Sequence, residues 1–167
     1  MADLLPTERL QPSLLDRLTD DEPDKNQESR EKRILSQRQL RQSVLRDLTW
    51  LMNSVAMTAT QSLTAYADVS HSVLNFGIPD LSGRSVSNTD VRQLEQQIKQ
   101  AILDFEPRIT RNSLKLRVVK NADNFNQNAL AFEIEGDLWM QPLPLRLYLK
   151  SEIDLETGHV ELTDLGG

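Results

Sequence analysis

The apolar residues of this chain change their spacing at one stretch, residues 104–109, and that change constrains the fold more than any other feature. Before it, apolar residues recur every three or four positions, as on one face of a helix, and after it they recur every second position, as in half-buried strands. Because proline disfavours the α conformation in the residue before it, Pro107 predicts a helix that ends near Phe105 and an extended Glu106. The stretch 104–109, named the hinge, therefore joins a helical layer to a sheet.

Upstream of the hinge the sequence predicts two main helices. Ser36 is placed to cap the first. Its apolar stripe is Leu40, Val44, Leu48, Leu51 and Val55, broadened by Trp50 and Met52. We expect Trp50 to be a core residue, and the alternative is a half-exposed contact. The second helix is capped by Ser87, Asn88 or Thr89 and runs to the hinge. Shorter helical pieces are predicted at 13–18 and at 71–76, and Gly77 closes the latter with a positive φ.

Downstream of the hinge the alternation predicts about four strands. Their inward positions are Leu114, Leu116 and Val118; then Leu130, Phe132 and Ile134; then the odd residues from Leu145 to Leu155; and finally Val160 and Leu162. Gly136 is expected to bulge or end the second strand, while Pro142 and Pro144 favour an edge position for the third. The predicted fold is α+β, with N-terminal helices packed on one face of a C-terminal antiparallel sheet of about four strands.

Length and charge limit the domain organisation. With 167 residues and 38% hydrophobic residues, the chain has room for one core of ordinary size. Residues 19–33 contain almost no apolar side chains and cannot repay the entropy of ordering. We expect a short helix and a flexible charged linker over 1–35 and a single α+β domain over 36–167. A net charge of −6 argues against a nucleic-acid partner bound through its phosphates.

Several kinds of chemistry lack a sequence pattern. The chain has no cysteine, and its two histidines stand in no metal-ligand spacing, so we expect no metal, no cofactor and no catalytic residue. The carboxylate pairs Asp104/Glu106 and Glu133/Glu135 show no sign of the cleft geometry that a glycosidase needs. No basic region followed by a long apolar run begins the sequence, and nowhere do 18 apolar residues follow one another, so neither export by a signal peptide nor membrane insertion is expected.

The hinge carries an acid and a base that point the same way. In an extended segment residues i and i+2 share a side, so Glu106 and Arg108 can be offered together to a partner surface. The alternative is a local ion pair beside a turn proline. An exposed pair contributes about 0 to 1 kcal/mol, so we expect its loss to leave the isolated domain folded.

Motifs along nearly the whole chain resemble TssE, the baseplate subunit of bacterial type VI secretion systems, which is similar to the wedge protein of contractile phage tail baseplates. The resemblance rests on Pro12 to Leu18, Ser72 to Asp80, Glu106-Pro107-Arg108, Leu138-Trp139 and Glu152 to Gly158. It implies that Glu106, Pro107 and Arg108 bind partner subunits.

The resemblance also implies a place and a set of partners. It implies a non-enzymatic subunit that joins the wedge proteins TssF and TssG and helps start assembly of the contractile sheath, with the base of the spike and tube as a further neighbour. The location implied is cytoplasmic, in the baseplate near the inner membrane. The older lysozyme-like label of the phage protein leaves one alternative, a peptidoglycan hydrolase.

Overall fold

The computed structural model describes residues 13–19, 24, 36–83, 90–119, 129–140 and 143–166. Most of the predicted linker, residues 121–128 and Pro142 lie outside these ranges. Within them the element order is four helices followed by four strands, which confirms the α+β prediction. The helices are α1 Leu14–Leu18, α2 Gln37–Met52, α3 Ala67–Ser70 and α4 Val91–Phe105, with short 3₁₀ turns at Met57–Ala59 and Val73–Asn75.

The two long helices begin at side-chain caps. Ser36 caps α2 as predicted, and Gln39 returns its side chain to the Ser36 backbone in a capping box. The cap of α4 is Asp90, whose Oδ1 accepts hydrogen bonds from the backbone N–H groups of Arg92 (3.0 Å) and Gln93 (3.2 Å). The predicted caps at Ser87, Asn88 or Thr89 are therefore wrong, since a carboxylate at the next position fills the same role.

The sheet is antiparallel throughout, with strands in the order β1-β2-β3-β4. The strands are β1 Lys115–Val119, β2 Ala129–Leu138, β3 Leu145–Asp154 and β4 Val160–Asp164. Their inward side chains, among them Phe132, Leu149 and Val160, share one apolar core with Val44 and Leu48 of α2 and Ile98 of α4. The helices thus cover one face of the sheet, as the sequence predicts.

The third strand is central, so the edge position expected from Pro142 and Pro144 is wrong. β3 pairs with β2 along its whole length and with β4 from Leu149 to Ile153. Its first residue is Leu145, so both prolines precede the ladder and need not donate to it. Gly136 neither bulges nor ends β2, because it pairs with Leu147 within a continuous ladder.

Side chains cover part of the two outer strands. On β1, the Val118 N–H donates to Glu95 Oε1 of α4 at 2.7 Å. On β4, the Asn53 amide group both accepts from the Val160 N–H (3.0 Å) and donates to the Val160 carbonyl (2.9 Å), as the peptide group of an added strand would do. On each outer strand, a polar side chain therefore occupies backbone hydrogen-bonding groups that would otherwise be open to an added strand.

Two positions of the predicted apolar stripe lie outside the core. Trp50 is 51% exposed and Val55 is 56% exposed, so their predicted burial is wrong. Val55 falls after α2, where the chain turns to form a parallel bridge with Ile78. Gly77 has a φ of 132°, and a Cβ there would clash with the Ser54 carbonyl oxygen, which explains why glycine occupies this turn.

Candidate partner-binding site

The hinge begins where α4 ends. Glu106 caps the helix, and its N–H donates to the Ile102 carbonyl at 2.9 Å. Its side chain is buried, with 3% exposure, whereas Pro107 next to it is exposed and Arg108 is partly buried. Pro107 is thus the member of the Glu106-Pro107-Arg108 motif that faces solvent most openly.

Arg108 binds the buried carboxylate with two parallel bonds. Its Nε donates to Glu106 Oε1 at 2.7 Å and its Nη2 donates to Oε2 at 2.5 Å. The Arg108 backbone N–H adds a third bond to Oε1 at 3.1 Å. The geometry is the planar, bidentate pairing that arginine makes best, and it satisfies both oxygens of a carboxylate removed from water.

The remaining donors of Arg108 reach helix α2. Nη1 donates to Ser43 Oγ at 2.8 Å, and Nη2 also donates to Asp47 Oδ2 at 2.6 Å. Ser43 and Asp47 are four residues apart and therefore lie on one face of α2. Arg108 consequently ties the start of the sheet layer to the middle of the first long helix.

The network continues to α1 and closes into a ring. Ser43 Oγ donates to Asp16 Oδ2 at 2.7 Å, and Arg46 Nη1 donates to Asp16 Oδ1 at 2.6 Å. Arg46 Nε returns to Asp47 Oδ1 at 2.9 Å. We call these six residues the hinge cluster: Asp16, Ser43, Arg46, Asp47, Glu106 and Arg108. Three carboxylates and two guanidiniums give the cluster a formal charge of −1.

The neighbours of Arg108 and Asp16 shift the pKa values of these two groups in favour of their ionised forms. Burial lowers the pKa of Arg108, but the hydrogen bonds and charges of Glu106 and Asp47 outweigh burial and raise it above the usual range. Burial likewise raises the pKa of Asp16, but bonds from Ser13, Ser43 and Arg46 outweigh this and lower it to about 2. Both groups are therefore charged across the physiological range.

Two half-exposed tryptophans, Trp50 and Trp139, each contact an arginine of the cluster. The Arg46 guanidinium lies 5.3 Å from the ring centroid of Trp50, within cation–π range. The Trp139 backbone N–H donates to the Arg108 carbonyl at 2.8 Å, and Trp139 is 50% exposed. Half-exposed tryptophan next to arginine is the composition that dominates binding energy at protein interfaces.

The structure brings Glu106 and Arg108 together, but in a turn at Pro107 and Arg108 and not in the predicted extended segment, and it buries Glu106, which was expected to be exposed. The pair is buried at Glu106 and bonded to α2, so its loss is expected to destabilise the isolated domain. Whether Glu106, Pro107 and Arg108 bind a partner stays a prediction. The two acids at the end of α4 both find partners, since Asp104 contacts His71 Nδ1 at 2.8 Å and accepts from Gln100 Nε2 at 2.8 Å.

Sequence reasoning missed the other members of the cluster. The spacing of Ser43 and Asp47 on one polar helix face was available as a signal, but no local pattern connects them to Arg108, which lies 65 and 61 residues further along the chain. The position of Arg46 off the apolar stripe is typical of a solvated helix face, whereas the structure places it between Asp16 and Asp47.

A family model described as "Baseplate wedge protein gp25" matches residues 38–143, more than half of the chain. The chain belongs to this family. No individual curated protein and no solved structure matches it significantly.

The gp25 family match covers the structural centre of the hinge cluster. It contains Ser43, Arg46 and Asp47 on α2 together with Glu106 and Arg108, and it leaves out Asp16, β3 and β4. Membership of the gp25 family assigns the chain to a phage tail-like baseplate, as a structural protein with protein partners. The TssE resemblance is consistent with this membership, since TssE is the homologous subunit.

Two features are absent from the part of this gp25 family member that the structure describes. Within it, no group of three or more His, Asp or Glu side chains could hold a metal ion. None of the helices in the same ranges combines the length and apolarity needed to cross a bilayer.

Proposed function

We propose that this protein is a non-enzymatic structural subunit of a type VI secretion baseplate, which joins the wedge subunits and helps initiate the contractile sheath. The observation that carries the proposal is the gp25 family match over a region that contains the hinge cluster. The partners are the wedge proteins TssF and TssG, in a cytoplasmic baseplate near the inner membrane. Residues 36–167 would form the domain that docks, and 1–35 its N-terminal extension.

In this proposal the partner contacts the surface of the hinge and does not form new ion pairs with Glu106 or Arg108. Four of the five N–H donors of Arg108 are used inside the chain, so a partner would meet Pro107, the rims of the ion pairs and the flanking tryptophans. Burying these pairs under a partner removes water and strengthens their attraction. Docking would thus stabilise a network in which each charged side chain already contacts an opposite charge, although one negative charge remains in the sum.

Co-purification tests the wedge proposal. The tagged chain, co-expressed with TssF and TssG from the same source, should elute with both as one stable complex. Pro107→Gln changes the exposed hinge residue without touching the bonds of Arg108, and it should weaken capture severalfold. Pro144→Gln, at an exposed proline before β3, is the matched control and should be captured like the parent. Equal capture of both variants would remove Pro107 from the interface.

Sheath initiation calls for a surface to which a sheath subunit can attach, and the β4 edge offers one. In β4, the backbone N–H groups of alternate residues point away from β3. The Leu162 N–H therefore points the same way as the Val160 N–H, which the Asn53 side chain already binds. An added strand would continue the sheet from Leu162. Leu162→Pro removes that outward N–H, while Leu162→Ala loses the same packing and keeps it. We expect fewer sheaths with the proline variant than with the alanine variant, and equal numbers would argue against this edge.

No specific observation favours the alternative, a peptidoglycan hydrolase. Both oxygens of Glu106 are bonded to Arg108 inside the chain, so this carboxylate is not free to contact a glycosidic oxygen. Purified protein incubated with peptidoglycan should release no more soluble fragments than buffer. Release that disappears on replacing a single Glu or Asp would establish the hydrolase instead.

A further inference from the structure

Helix α1 sits on the protein with its apolar side outward. Leu14 and Leu18 are 72% and 73% exposed, Leu15 is 40% exposed, and no residue of α1 is buried. A short amphipathic helix on a protein surface normally turns its leucines toward the core. In α1 the least exposed residue is instead the acid, Asp16, whose side chain is 14% exposed.

Polar bonds fix this orientation. The Asp16 carboxylate accepts from the Ser13 backbone N–H (3.1 Å) and hydroxyl (2.6 Å), which caps the helix from within. The same carboxylate accepts from Ser43 Oγ and Arg46 Nη1 of α2. Charge-assisted bonds of this kind are directional, so they set which side of α1 faces α2 and leave the leucines on the other.

The exposed side of α1 is apolar with one positive charge. Asp16 is paired with Arg46, so Arg17, which is exposed in the last turn, supplies the charge on the outward surface. We call Leu14, Leu15, Arg17 and Leu18 the α1 ridge. A groove that fits the ridge would be apolar along its floor and acidic at its rim.

We propose that the α1 ridge docks into an apolar, acidic-rimmed groove on another wedge subunit, so that the hinge cluster and α1 form one composite interface. The inference rests on the proposed function. Ser43 bonds both Asp16 of α1 and Arg108 of the hinge, so α1 lies beside the hinge and one partner can cover both surfaces. Asp16 is accordingly a positioning residue, which holds the ridge in place and does not itself touch the partner.

Two other occupants fit the ridge less well. A second copy would bring two Arg17 side chains together around a helix of five residues, which combines like charges with an area far below that of a stable dimer. An anionic lipid surface attracts clusters of basic residues, whereas the ridge carries one and the whole chain has a net charge of −6.

Capture by the TssF–TssG complex tests the proposal. Leu14→Ser/Leu18→Ser removes the ridge, and its thermal unfolding should match the parent because neither leucine is buried. Its binding should be weaker by about tenfold to several hundredfold, the range expected for losing one to two buried leucines. Val73→Ser/Leu74→Ser removes another exposed apolar pair, 80% and 62% exposed, and should bind like the parent.

Two further variants test the charge and the position of the ridge. Arg17→Glu should weaken binding and reverse its response to salt, because the acidic rim would then repel the ridge. Asp16→Ala should weaken binding by less than the leucine variant, because it removes the bonds that hold α1 against α2 but keeps the leucines of the ridge. Self-association and binding to anionic vesicles should be absent in the parent.

The outcomes separate this inference from the proposed function. If the parent is captured and the leucine variant is captured equally well, the ridge is not in the interface and only this inference fails. An equal loss in both double serine variants, or a ridge that serves self-association or vesicles, would also overturn it. If the parent is not captured at all, the proposed function fails and the inference fails with it.

Discussion

Replacing Arg108 by methionine should destabilise the isolated domain substantially. The change removes four side-chain hydrogen bonds to three residues and leaves Glu106, at 3% exposure, without its counter-charge. Breaking a buried pair typically costs about 3 to 5 kcal/mol, and because Arg108 is itself 21% exposed we expect the lower end, about 3 kcal/mol. For a chain of this length that corresponds to a fall in melting temperature of about 6 to 12 °C.

The control is another arginine with two carboxylate partners. Arg146 pairs with Glu135 and Asp137, but its side chain is 62% exposed, so Arg146→Met should cost less than about 1 kcal/mol. Urea unfolding of both variants gives the two free energies directly. A loss for Arg108→Met no larger than that for Arg146→Met would refute the reasoning.

A double-mutant cycle separates the ion pair from lost packing. If Glu106 and Arg108 act as a pair, Glu106→Gln combined with Arg108→Met should cost less than the sum of the single changes, by about 0.5 to 3 kcal/mol. Strict additivity would show that the two side chains act independently, whatever the distance between them.

Two other perturbations test the account of the fold. Gly77→Ala should destabilise by more than Gly83→Ala, because both glycines have positive φ but a Cβ at Gly77 meets backbone while one at Gly83 meets open space; thermal unfolding measures both. Asp16 has a pKa of about 2 in the folded chain against 3.8 otherwise, so its contribution, about 1 kcal/mol, is complete above pH 4 and disappears as the pH falls toward 2. The stability difference between parent and Asp16→Asn should shrink over that range, and a constant difference would contradict the assignment.

The layers were predictable from the sequence because each periodicity reports a local conformation. A stripe at helical spacing and an alternation at strand spacing indicated α2, α4 and the sheet, and Pro107 marked the change between them. Strand order was harder, because Pro142 and Pro144 restrict only the residues beside them. β3 becomes a central strand only because β4 runs back antiparallel beside it and pairs with the edge that β2 leaves open.

The candidate site was predictable only in its local part. Glu106 and Arg108 lie two residues apart, but they meet in a turn, closed by the bond from the Ile109 N–H to the Glu106 carbonyl at 3.2 Å, and not in the extended segment that the sequence predicted. Their burial depends on α2, and Ser43 and Asp47 become part of the site only when the core packs α2 beside the hinge. Trp50 is a different case, because its position, one residue before Leu51 and two after Leu48, falls off the buried stripe of α2 by helical spacing alone.

Sheath assembly in living cells tests the central claim most directly. In bacteria that carry a fluorescent sheath subunit and lack this protein, sheaths should be absent or rare. Expression of the parent chain should restore them to normal number and length. Sheaths that assemble at the normal frequency without the protein would contradict its role as a baseplate subunit that helps initiate the sheath.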